Sequence, residues 1–72
     1  MKVLLLGGGG REHALAWAIM KSPRLKKLYA LPGSDAIAAL AECLVGDPKD
    51  GASIARLCKE KSIDLLIIGP ED

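Results

Sequence analysis

The chain has 72 residues, half of them hydrophobic and 26% charged, which fits one small globular domain rather than a disordered segment. Its formal net charge of +1 offers no bulk attraction to nucleic acid or to a membrane surface. Two aromatics, Trp17 and Tyr29, are too few for a base-stacking platform, and Cys43, Cys58 and the single histidine lack the spacing of a zinc site.

Val3-Leu4-Leu5-Leu6 is a continuous apolar run that ends in glycine. Such a run reads as a strand buried on both faces, the mark of a parallel sheet. Four glycines follow, Gly7 to Gly10, and then a helical pattern from Glu12 to Lys21 with Leu15, Ala18 and Ile19 sharing a face. Ser22-Pro23 stops that helix, because the residue before proline is pushed out of the α region. Lys27 to Ala30 reads as a second strand and Pro32-Gly33-Ser34-Asp35 as a turn. Ala36 to Glu42 is compatible with a helical turn or two, and Glu42 to Val45 with a short third strand. A second full helix starts at Asp47-Pro48 or at Asp50 and runs to about Lys61, with Ile54, Leu57 and Cys58 on one face. Ile63 to Ile68 is the last apolar strand, followed by Gly69-Pro70-Glu71.

Strands alternating with helices predict an α/β domain, 1–72, with a parallel sheet and helices on both faces. Right-handed crossovers place the first strand centrally, in the order 3-2-1-4. In such a sheet ligands bind beyond the carboxyl ends of the strands, where the strand order reverses. The glycine run and Gly69-Pro70-Glu71 both fall at that crevice. Bare amides at a helix start make an anion site, most often for phosphate. Arg11 is placed to neutralise a phosphate or to belong to a solvated charged turn, Glu12 suits the helix dipole, His13 reads as a ligand contact or a satisfied helix-start histidine, and Glu71 accepts from a sugar hydroxyl or an amine or is solvated. A dinucleotide fold is the first alternative, but G-x-G-x-x-G fails here and strand 2 lacks its terminal acid. A P-loop is excluded, since no Gly-Lys-Ser/Thr follows the glycines.

GGGGREHALAW after the first strand, Leu31-Pro32-Gly33 after the second and IDLLIIGPE at the end resemble the N-terminal domain of the phosphoribosylamine–glycine ligases, members of the ATP-grasp superfamily. The resemblance covers the whole chain. It implies a Rossmann-like, pre-ATP-grasp domain that helps bind the phosphoribosyl substrate of an enzyme of purine biosynthesis. That enzyme joins glycine to 5-phosphoribosylamine through a glycyl phosphate while ATP becomes ADP and phosphate. Carried over, Gly8, Gly9, Gly10, Arg11 and Glu12, with Pro32 and Gly33 and with Gly69, Pro70 and Glu71, would line the substrate crevice. The chain departs from the family in Ser34-Asp35-Ala36, where Asn-Ala-Gly is usual. Asp35 adds a carboxylate that would repel a phosphate. It departs again in ending at Asp72.

The resemblance places ATP and Mg2+ in domains beyond this chain, so no cofactor, metal or catalytic residue is expected within it and the chain alone is not expected to catalyse the ligation. The expected partner is a phosphorylated sugar, with no nucleic acid and no membrane, and the last strand would leave an open sheet edge able to pair with another copy. Cys43 and Cys58 read as free thiols of a reducing compartment. The opening apolar run is too short for a secretory signal, which points to the cytoplasm. Two other readings are an NAD(P)-binding oxidoreductase domain and a truncated or engineered α/β module without catalysis.

Overall fold

Strand β1, Lys2–Gly7, is the axis of the molecule in the computed structural model, which describes residues 1–68. Val3, Leu4, Leu5 and Leu6 are each at most 7% exposed, so the apolar run is covered on both faces. Strands β2 (Lys27–Pro32) and β4 (Leu65–Ile68) pair with β1 on either side, both parallel, and β3 (Glu42–Cys43) pairs with β2. The order is β3-β2-β1-β4, as expected from the alternation of strands and helices.

Two helices of ten residues flank this sheet. Helix α1 (Gly10–Ile19) lies over Val3 and Leu5 and α3 (Gly51–Glu60) over Leu4 and Leu6. Val3, Leu5, Ala16 and Leu28 form one half of the core, and Leu4, Leu6, Tyr29, Leu31 and Ile54 the other. Each fully buried Leu adds about 1.5–3 kcal/mol to stability over its exposed state, which matters in a domain this small.

The inner face of α1 differs from the expected one. Glu12 and Ala16 are buried and Ile19 packs against the core as expected, whereas Leu15 and Ala18 are exposed. Residues 14–20 are apolar all round the helix, so periodicity does not choose a side. Ala16, fully buried, sits against Val3 and Leu5, and its small side chain permits close approach to the sheet. Trp17 stays 55% exposed on the outer side, with the Lys21 ammonium 3.5 Å from its ring centre.

The stretch read as a turn is more ordered than expected. Pro32 is the last residue of β2, and Ser34 caps a four-residue helix, α2 (Asp35–Ala38), by accepting from the Ile37 amide at 3.2 Å. Ile37 is fully buried. The third strand is shorter than read, yet the Leu44 amide still donates to the Ala30 carbonyl at 2.7 Å. Of the two possible starts for α3, Asp50 is the one used.

Strand β4 begins at Leu65, two residues later than read, and is pinned by Asp64. The Lys2 amide donates to the Asp64 carboxylate at 2.7 Å and the Asp64 amide donates to the Lys2 carbonyl at 2.8 Å. Among the described residues β4 is an edge strand, and Leu65, Leu66 and Ile68 are substantially exposed. The other edge is different. β3 has only two residues and carries Glu42, paired with Lys27 at 3.3 Å, a charge pairing of the kind that blunts an edge.

Candidate functional site

The carboxyl ends of β1 and β2 meet through glycines. The Gly33 amide donates to the Gly7 carbonyl at 3.2 Å, which carries the β1–β2 register one residue past Gly7–Pro32. At Gly8 a side chain would run into the Gly33 carbonyl. Gly33 has φ +74°, a left-handed conformation that L side chains avoid, and a Cβ there would strike Cys43 Sγ. The thiol of Cys43 lies 3.6 Å from the Ser34 carbonyl, so it packs and donates within the second loop. Cys43 is a free thiol as read, but half-buried rather than buried; its contact with Gly33 was not legible from spacing.

The glycine run is therefore doing two jobs. Gly7 has φ +127°, and the place of its missing side chain is taken by the Glu12 carboxylate. A Cβ on Gly9 would lie 3.1 Å from Glu12 Oε2. Gly7 and Gly8 are thus required by packing within the chain. Gly10 is not: nothing lies within 4 Å of where its Cβ would be. Gly9 and Gly10 are exposed, as is Arg11.

The start of α1 is open. Its N-cap is Gly9, which has no side chain to cap with, and the first helical bond is donated by the His13 amide to the Gly9 carbonyl at 3.0 Å. The amides of Gly10, Arg11 and Glu12 consequently lack a helical acceptor. Helices α2 and α3 are capped by Ser34 and Asp50, whose side chains accept from Ile37 and Ser53. His13 is half-buried.

Glu12 departs from the solvated reading of that turn. It is 7% exposed and curls back over Gly7 and Gly9 from the third position of the helix. A glutamate at that position ordinarily reaches for the N-cap amide, half of a capping box. Among the described residues its carboxylate takes part in no hydrogen bond or ion pair.

Of the residues singled out in the sequence, Gly8, Gly9, Gly10, Arg11, Glu12, Pro32 and Gly33 lie at the carboxyl ends of β1 and β2 or in the first turn of α1. Pro32 is exposed beside Gly7. Asp35 is exposed in the first turn of α2, with Ser34 before it serving as a cap. Gly69, Pro70 and Glu71 lie outside the described residues; the last described residue of β4, Ile68, pairs with Leu6, immediately before the glycine run. Among the described residues no helix is long and apolar enough to cross a membrane.

Known proteins carry the same sequence pattern. A phosphoribosylamine–glycine ligase of Mesorhizobium japonicum is 58% identical over 71 residues, which is 99% of this chain and 17% of that protein. One from Agrobacterium fabrum is 54% identical over the same share of each. The trifunctional purine biosynthetic protein adenosine-3 of Drosophila melanogaster is 45% identical over 76 residues, 99% of this chain and 6% of that protein. The chain thus spans about a sixth of the length of the bacterial relatives. The family model for the N domain of phosphoribosylglycinamide synthetase matches residues 1–72, and the chain belongs to that family.

Proposed function

We propose that this chain is the substrate-binding N-terminal part of a phosphoribosylamine–glycine ligase, the enzyme that joins glycine to 5-phosphoribosylamine at the expense of ATP. The observation that carries this reading is the meeting of the Gly8 loop, the Gly33 loop and the uncapped start of α1 at the carboxyl ends of adjacent parallel strands. In an open α/β sheet that is where a ligand is held. The match of the family model over residues 1–72 supports it independently.

In this reading the chain's residues bind and orient; they do not carry out the ligation. The exposed amides at Gly10 and Arg11 receive an anionic oxygen, helped by the positive end of the helix dipole. Arg11 adds a planar donor suited to phosphate. Pro32 and Gly33 form the wall on the β2 side. ATP and magnesium belong to the portions of the relatives that this chain does not span, and the whole acts in the cytoplasm.

Calorimetric titration with glycinamide ribonucleotide, the reaction product, tests the proposal, with NADH as the comparison. Saturable binding of the ribonucleotide and none of NADH is the expected result. Binding of NADH alone would replace this reading with a dinucleotide-binding one.

A further inference from the structure

No further inference is drawn: the strongest candidate, the apolar face of β4 with the groove between it and α3, where Leu65, Leu66 and Ile68 are exposed, carries nothing because nothing in the structure shows what covers it.

Discussion

Helices α1 and α3 have the same length and lie on opposite faces of one sheet, yet they begin in opposite ways. The start of α3 is self-sufficient: Asp50 accepts from the Ser53 amide at 3.2 Å and from its hydroxyl at 2.8 Å. The start of α1 has a glycine for a cap and leans on Glu12, which folds back over Gly7. A helix that only had to be stable would begin as α3 does. The difference marks the α1 end as the place where the backbone is kept bare, and it separates residues that hold the fold from those proposed to face a ligand.

The sharpest way to break the contrast is Gly7→Ala. The new methyl would need a left-handed backbone and would collide with Glu12. Strain and overpacking together should cost about 3 kcal/mol, enough to leave much of so small a domain unfolded, as read from a urea melt.

Removing the cap at the other end should cost less. Asp50→Ala should lower the melting temperature by roughly 5 °C. Hydrogen bonds from the Ser53 hydroxyl and then the Ser53 amide hold the Asp50 carboxyl below its ordinary value of 3.8. A lowered folded-state value means that the cap's contribution is complete above 3.8 and fades as the pH falls through the folded value. The melting difference between wild type and Asp50→Ala should therefore be constant near neutrality and narrow only below pH 3.8.

The smallest effects sharpen the comparison most. Gly10 and Gly51 are the first residues of their helices, and neither has an atom within 4 Å of its missing Cβ. Alanine at either position should stabilise the fold by about 0.5–1 kcal/mol, since glycine is the poorer helix former. Only Gly10→Ala should also weaken glycinamide ribonucleotide, because its methyl would stand in the proposed phosphate position. Equal ribonucleotide affinity in both variants would show that the bare α1 start has no part in binding.

The strand order was legible because β1 and β4 are apolar runs, β2 is largely one, and the strands alternate with helices, whereas β3, Glu42–Cys43, carries only a weak signal. The choice of Asp50 over Asp47 as a cap was one of two readings that the local chemistry allowed. The inner face of α1 was misread at Leu15 and Ala18 but not at Ile19, since a helix apolar on all sides carries no directional signal and Ala16 was favoured by its size. That Gly8 to Glu12, Pro32 and Gly33 fall at the strand ends or in the first turn of α1 was legible in the sequence, and their internal arrangement was not. That Gly8 packs on Gly33 and Gly33 on Cys43 are contacts across different strands. The burial of Glu12 depends on the shape of the Gly7 turn, which composition does not encode.

The central claim is that the glycine loop, the start of α1 and the Gly33 loop form one ligand site. An amide-resolved NMR titration of the chain with glycinamide ribonucleotide tests it most directly. Shifts gathered at Gly8 to Glu12 and at Gly33, with the α3 start at Asp50 to Ser53 unmoved, are the expected result. Shifts centred on α3, or a loop that stays unmoved while the ribonucleotide binds elsewhere, would contradict it.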